Sequence, residues 1–168
     1  MNKIFVIILT LLLSTSLMAA GSDSSSGSSS SSSSSSEESL YEDAVKLVKR
    51  AGKLEKKDKI DKAKKLYSQA FNKLEKAYKS DKKNPDILNY MGFTSRKVGN
   101  FDQAEKFYLK GLNIKPNHNG INEYLGELYV QTDRIDKANE RLEVLKSCNC
   151  KEYGELELII KTRGSKVY

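Results

Sequence analysis

The 168-residue chain lacks the motifs by which most enzymes are recognised. It has no Gly-rich phosphate loop, no His-x-x-x-His pair and no Gly-x-Ser-x-Gly elbow. Acidic pairs such as Glu155 and Glu157 lie two residues apart on a predicted helix, so they point to different sides and cannot act together as acid and base. The chain has a single His, which disfavours a metal site. We therefore predict that the protein is not an enzyme, with no catalytic residues, no cofactor and no metal.

Residues 1–21 have the pattern of a secretory signal peptide. Lys3 supplies a positive start, residues 4–13 form an apolar run, and the segment ends in small residues at Ala20 and Gly21. The apolar run is shorter than the roughly 20 residues that cross a bilayer. We predict cleavage after Ala20 or Gly21, export to the periplasm of a Gram-negative bacterium, and no stable membrane span afterwards. An uncleaved signal anchor is the alternative.

Residues 22–38 are dominated by Ser. From Ser22 to Ser36 no apolar side chain is present to offset the entropy lost on ordering. We therefore predict a disordered Ser-rich linker at 22–38, with a glycosylated stalk or a tether as the functional alternatives.

Three copies of one short pattern recur after this segment. Residues 60–63, 101–104 and 135–138 each read apolar-Asp-x-Ala, and a bulky apolar residue follows four positions after each Ala. The second and third copies lie 34 residues apart (135 − 101), and the first and second lie 41 apart (101 − 60). The extra seven residues are about two helical turns, so the same helix face is kept. A period near 34 predicts a solenoid of stacked helix pairs.

The copy from Pro85 to His118 resembles the tetratricopeptide repeat (TPR). The residues that match the pattern are Leu88, Met91, Gly92, Ala104, Tyr108 and Pro116 in this copy, Asn122, Leu125, Gly126, Tyr129, Ala138 and Leu142 in the next, and Leu47, Arg50, Ala51, Leu54, Ala63 and Tyr67 in the first. Ser95 stands where an aromatic is usual, and Cys150 replaces the terminal Pro of the last copy. The resemblance implies an all-α fold, a right-handed α-solenoid of about three helix pairs with a C-terminal capping helix.

The repeats also give the predicted boundaries. A TPR domain at 39–163 would hold repeats at about 44–84, 85–118 and 119–150, a capping helix at 151–163, and then a tail at 164–168. The seven predicted helices cover about 39–57, 60–79, 85–98, 101–114, 120–131, 134–147 and 152–161. Ser39 and Glu42 form a capping box for the first helix, and Asn84 caps the third. Small residues at the pattern positions, such as Gly92 and Gly126, should lie where helices cross.

The resemblance further implies where a partner would bind. In TPR arrays the first helix of each pair lines the concave face, and its non-core residues face the cavity. Those residues are Asn89, Phe93, Arg96 and Lys97 on the third helix and Glu123, Glu127 and Gln131 on the fifth. Phe93 could anchor a peptide or pack against a neighbouring first helix. We therefore predict a protein–protein interaction module, a TPR adaptor or scaffold of the bacterial cell envelope, that binds a protein or peptide.

Two cysteines, Cys148 and Cys150, are the only ones in the chain. In an exported protein they should be oxidised and paired with each other. Because residues two apart can be bridged only with a distorted loop, we expect a strained, readily reduced bond. The pair is interpreted as a staple of the turn before the last helix. A periplasmic thiol-disulfide factor that uses Cys148 and Cys150 is the alternative function.

The positive charge does not indicate a nucleic-acid partner. Without the signal peptide, 28 Lys and Arg against 22 Asp and Glu leave a net charge of +6. The basic residues of the first helix pair are interleaved with acidic ones, which is typical of a solvated helix surface. His118, in a turn rich in Pro and Asn, is predicted to be exposed and without function.

Overall fold

The computed structural model describes residues 32–164, and side chains from Ser39 onward. Within these residues the chain forms seven helices and no strand: α1 (Ser32–Glu55), α2 (Ile60–Ser80), α3 (Pro85–Lys97), α4 (Phe101–Ile114), α5 (Asn119–Gln131), α6 (Ile135–Leu145) and α7 (Lys151–Lys161). The predicted all-α fold is confirmed. The predicted signal peptide, the linker up to residue 31 and the last four residues lie outside the described residues.

The first helix begins earlier than the sequence indicated. α1 starts at Ser32, seven residues before the predicted start at residue 39, and the disordered linker at 22–38 stays a prediction. Ser39 and Glu42 lie inside α1, so the predicted capping box is wrong. Extending an existing helix is far easier than starting one, and an ordinary residue costs less than about 0.7 kcal/mol relative to Ala. The other six helices begin and end no more than two residues from their predicted bounds.

Neighbouring helices pack in sequence order as three hairpins. α1 packs on α2, α3 on α4, and α5 on α6, while α2 contacts α3 and α4 contacts α5. α7 packs on both α5 and α6, in the place that the first helix of a fourth pair would take. The contacts of α1 with α3, α3 with α5 and α5 with α7 align these four helices along one wall of the stack.

Small residues lie where the helices cross, as predicted. A Cβ atom added to Gly92 would lie 2.6 Å from Cδ1 of Tyr108, and one added to Gly126 would lie 2.5 Å from Cδ2 of Leu156. The alanines of the pattern are fully buried: Ala51, Ala63, Ala104 and Ala138. These positions therefore set how closely the helices of the stack approach each other.

The three hairpin turns share one backbone geometry. In each turn one residue is left-handed, with φ of 57° at Asp58, 95° at Gly99 and 57° at Asp133. The next N–H donates to the carbonyl five residues earlier, in the pairs Lys59 to Leu54 (2.9 Å), Asn100 to Ser95 (2.9 Å) and Arg134 to Tyr129 (2.7 Å). This is the Schellman pattern, which satisfies carbonyls at a helix C-terminus. Positions 54, 95 and 129 are therefore structurally equivalent.

The start of α3 follows its prediction as well. Oδ1 of Asn84 accepts hydrogen bonds from the N–H groups of Asp86 (3.0 Å) and Ile87 (3.3 Å). Pro85 occupies the first helical position, where its missing N–H needs no partner. Asn84 is thus an N-cap, and this prediction is confirmed.

Candidate functional site

Two adjoining cavities lie along the wall formed by α1, α3, α5 and α7. The first has a volume of about 290 Å³ and the second about 480 Å³. Glu123, Tyr124 and Lys151 line both, so the cavities form a single groove. We call it the concave groove, with Phe93 in its first cavity and Tyr90 in its second.

Six of the seven residues predicted to face a partner meet in this groove. Five line the first cavity: Phe93, Arg96, Lys97, Glu123 and Glu127. Asn89 lines the second cavity together with Glu123. Gln131 lines neither cavity and is exposed at the C-terminal end of α5. The resemblance to the TPR family therefore indicated residues that line this groove, whereas the binding role of these residues stays a prediction.

The ring of Phe93 packs between two helices. Its centroid lies 4.9 Å from that of Tyr124 on α5 and 5.8 Å from that of Tyr67 on α2. Packing against a neighbouring first helix was one of the two predicted alternatives for Phe93. The ring stays half-buried, and its remaining surface lines the first cavity.

Arg96 is held by a buried ion pair. Its Nη2 lies 2.6 Å from Oε2 of Glu127, and the two side chains are only 3% and 11% exposed. The guanidinium carbon also lies 5.6 Å from the ring centroid of Phe93 and 5.8 Å from that of Tyr124. Arg96 and Glu127 therefore join α3 to α5 under the groove and offer little surface to a partner.

Lys97 takes part in a second internal network. Its Nζ lies 2.7 Å from Oε2 of Glu55, and the hydroxyl of Tyr67 donates to the same oxygen at 2.8 Å. Burial and the neighbouring Glu55 carboxylate raise the pKa of Tyr67, so its hydroxyl keeps the proton that it donates. These three residues connect α1, α2 and α3 at one end of the first cavity.

Glu123 and Glu155 both line the first cavity, and a hydrogen bond between their carboxyl groups shifts the pKa of each. Burial, then the hydrogen bond with Glu155, then the charge of Glu127 raise the pKa of Glu123 above its ordinary value of 4.5. Burial also acts to raise the pKa of Glu155, but its hydrogen bonds with Glu123 and Lys151 outweigh this and lower it. The raised pKa of Glu123 favours its protonated form, which is the form that can donate to the Glu155 carboxylate on α7.

We expect the free energy of unfolding to fall as the pH rises from about 5 to 9. Because the pKa of Glu123 is higher in the folded than in the unfolded state, its contribution is complete below about pH 4.5 and is lost at higher pH. The slope is at most about 1.4 kcal/mol per pH unit. The lowered pKa of Glu155 makes the free energy of unfolding rise with pH, and it does so only below about pH 4.5.

Urea unfolding of the wild type and of Glu123→Gln at several pH values checks this expectation. Gln keeps the shape and a hydrogen-bond donor but cannot ionise, so Glu123→Gln should remove most of the slope. Glu143→Gln, at a carboxylate whose side chain is 71% exposed, should keep it. An unchanged slope in Glu123→Gln would contradict the raised pKa of Glu123.

His118 is not the exposed, functionless residue that the sequence predicted. It is 8% exposed, and its Nδ1 accepts a hydrogen bond from the N–H of Ile121 at 3.2 Å, which caps α5. Its Nε2 lies 3.0 Å from Oδ1 of Asp86 on α3. The sequence did indicate this capping role, because His118 follows the N-cap Asn84 by one period of 34 residues.

Asn89 places an unused acceptor at the second cavity. The residue is 7% exposed, and its Oδ1 is buried with no hydrogen-bond partner among the side chains and backbone of residues 39–164. A buried polar atom without a partner costs free energy, and a ligand N–H at this cavity would remove that cost.

The sequence analysis did not predict that several tyrosines and two residues of α7 line the groove. Tyr41 and Tyr90 line the second cavity with their ring centroids 5.7 Å apart. Tyr90 and Tyr124 are one period of 34 residues apart and directly follow the predicted Asn89 and Glu123, which was the available signal. Nothing in the sequence indicated that Lys151 and Glu155 of α7, the predicted cap, would also line the groove.

Cys148 and Cys150 form a disulfide in the turn between α6 and α7, with Cα atoms 5.2 Å apart. Neither lines the concave groove, and the thiol-disulfide alternative stays a prediction. The described residues contain no group of three or more His, Cys, Asp or Glu placed to hold a metal ion. In residues 32–164, no helix combines the length and apolar character needed to cross a bilayer.

Comparisons with models of protein families and with curated proteins give no match to this sequence. Among solved structures, the chain is similar to the type III secretion chaperone SycD of Yersinia enterocolitica in complex with a peptide of the translocator YopD. The TM-score is 0.50 at 16% identity, over 71% of this chain and 87% of that one. Two further similarities are to the first TPR of Spaghetti (RPAP3) bound to an HSP90 peptide (TM-score 0.48, 20% identity, 73% and 96% covered) and to the Arabidopsis OM64 TPR domain (0.47, 16%, 73% and 98%).

The three stacked hairpins repeat one turn geometry, place small residues where helices cross, and match a solved structure over most of the chain. These observations agree with the resemblance found in the three sequence copies, and that prediction is confirmed. The chain has the tetratricopeptide-repeat fold.

Proposed function

We propose that the protein is a non-catalytic interaction module that binds a segment of a partner polypeptide in the concave groove. The observation that carries this proposal is the buried, unpartnered Oδ1 of Asn89 beside a cavity of about 480 Å³. A backbone N–H of an extended segment is the donor that this acceptor lacks. The SycD structure contains a peptide of the translocator YopD, which supports a polypeptide segment as the ligand.

The partner segment should be recognised by aromatic contact and backbone hydrogen bonds more than by charge. Tyr41, Tyr90 and Tyr124 supply half-buried rings to the second cavity. The cations of the first cavity are paired within the protein, Arg96 with Glu127, Lys97 with Glu55 and Lys151 with Glu155. A carboxylate of the partner would have to displace one of these glutamates, so we propose an uncharged or mixed segment as the ligand.

We propose further that binding takes place in the cell envelope of a Gram-negative bacterium. The support is the signal-peptide pattern of residues 1–21 and the disulfide of Cys148 and Cys150. A mature chain that begins at Gly21 or Ser22 is the expected form.

Site-specific photo-crosslinking in intact cells tests both proposals. A benzophenone amino acid at position 90, in the groove, should capture a partner, whereas one at Leu109, which is 49% exposed on α4, should not. The captured mature chain should begin at Gly21 or Ser22 when its N-terminus is sequenced. Retention of residues 1–21 would contradict cleavage and would favour the uncleaved signal anchor.

The crosslinked segment, made as a peptide, then tests the site itself by calorimetry. Asn89→Ala should weaken binding about tenfold, which corresponds to about 1.4 kcal/mol for one buried hydrogen bond. Leu109→Ala should bind as the wild type does. Equal affinity of Asn89→Ala and Leu109→Ala would overturn the proposed groove.

A further inference from the structure

A separate cavity lies between α2, the C-terminal end of α3 and the start of α4. It has a volume of about 120 Å³ and shares no lining residue with the concave groove. Ser95 lines it, is only 2% exposed, and has an Oγ without a hydrogen-bond partner in the described part of the chain. Ser95 therefore brings to the wall of the cavity a buried Oγ that has no hydrogen-bond partner in the described part of the protein.

In the next repeat, the equivalent position carries a tyrosine. Tyr129 is the residue equivalent to Ser95, 34 positions later in the same turn geometry. The guanidinium carbon of Arg134 lies 4.5 Å and Nζ of Lys137 5.6 Å from the ring centroid of Tyr129, and Glu105 shares a hydrogen bond with its hydroxyl. The residues one period of 34 before Glu105, Tyr129, Arg134 and Lys137 all line the cavity: they are Phe71, Ser95, Asn100 and Gln103.

The cavity is thus the space of one missing phenol ring. Its volume is close to that of an engineered cavity of about 150 Å³ that binds benzene. Phe71 and Val98 provide apolar walls, and the Oγ of Ser95 provides a polar atom. The ring of Phe71 is itself held by Phe107, with centroids 5.9 Å apart. None of the eight described lining residues is charged, which favours a neutral ligand.

We propose that this cavity is a binding site for a neutral phenol-sized aromatic ring, with the ring against Phe71 and Val98 and the hydroxyl bonded to Oγ of Ser95. The ring comes from a free phenolic molecule or from a tyrosine side chain of a bound polypeptide. Either source supplies the apolar area and the single hydrogen bond that Tyr129 supplies to the next repeat.

Binding of p-cresol, the side chain of tyrosine as a free molecule, tests the site. Titration of the purified protein, followed by NMR shifts and by melting temperature, should give saturable binding that shifts residues around Ser95. Toluene, which has the ring without the hydroxyl, should bind about fivefold more weakly. Ser95→Ala keeps the cavity and should abolish this preference. Absence of saturable p-cresol binding would overturn the proposal, since the cavity would then hold only water.

The variant Ser95→Tyr tests whether the space fits a ring. It should raise the melting temperature by about 2–6 °C and abolish p-cresol binding, because its own ring fills the cavity. Ser80→Tyr makes the same change at an exposed residue at the end of α2 and should leave both properties as in the wild type. Retained p-cresol binding in Ser95→Tyr, or a melting temperature below that of Ser80→Tyr, would refute the proposed location.

A third set of measurements separates the two sources and separates this site from the groove. A blocked peptide Gly-Tyr-Gly should compete with p-cresol if the natural ligand is a tyrosine side chain, and should not compete if the ligand is a small free phenol. Asn89→Ala, in the concave groove, should bind p-cresol as the wild type does. Loss of p-cresol binding in Asn89→Ala would contradict an independent site.

Discussion

Gly92→Ala is expected to lower the free energy of unfolding by about 1–2 kcal/mol. The new Cβ would lie 2.6 Å from Cδ1 and 2.8 Å from Cζ of Tyr108, closer than nonbonded carbon atoms approach. The Tyr108 ring is fully buried between α3 and α5, so it cannot move aside without disturbing its neighbours. Overpacking of this kind typically costs 1–3 kcal/mol, which exceeds the roughly 1 kcal/mol that Ala gains over Gly in a helix.

Gly154→Ala is the matched control for this prediction. Gly154 lies within α7, and a Cβ there would have no described heavy atom within 4 Å. The same substitution should therefore raise the free energy of unfolding, by about 1 kcal/mol. Urea unfolding measures both variants. If both substitutions changed the free energy of unfolding in the same direction, the close contact between α3 and Tyr108 would not limit which residue is tolerated at position 92.

Arg96→Met should have a still larger effect, about 3–5 kcal/mol. The variant leaves the carboxylate of Glu127, 11% exposed, buried without its partner. Glu127→Leu should cost a similar amount, because it leaves the guanidinium of Arg96 in the same position. The double variant buries no charge, so we expect it to recover most of the loss.

A double-mutant cycle in urea measures the coupling between Arg96 and Glu127. The control is the ion pair of Lys146 with Glu143, 3.2 Å apart, whose side chains are 65% and 71% exposed. Lys146→Met should leave the free energy of unfolding nearly unchanged, because water screens an exposed pair. If Arg96→Met costs no more than Lys146→Met, the ion pair does not support the floor of the groove.

The repeat period predicted much of what the structure contains. It placed the helices and the small residues at their crossings, because each depends on the position of a residue within its own repeat. The resemblance to the TPR family added six residues of the groove. The period could also have given the capping role of His118, which stands one period after Asn84. The period carries no information on contacts that a single repeat does not contain.

The features of the groove that the sequence did not predict depend on contacts between different repeats. The ion pair of Arg96 and Glu127 joins residues 31 positions apart, so no multiple of the period relates them. The raised pKa of Glu123 depends first on burial, and a sequence pattern does not measure burial.

The internal pairing of charge in the groove bears on how a ligand arrives there. In the first cavity, Arg96, Lys97 and Lys151 are each neutralised by a glutamate of the same cavity, so this part of the groove projects little field into solvent. An incoming chain then meets it by unassisted diffusion, and added salt alters the encounter rate only slightly. Selectivity among competing ligands must therefore reside in how slowly the right one departs.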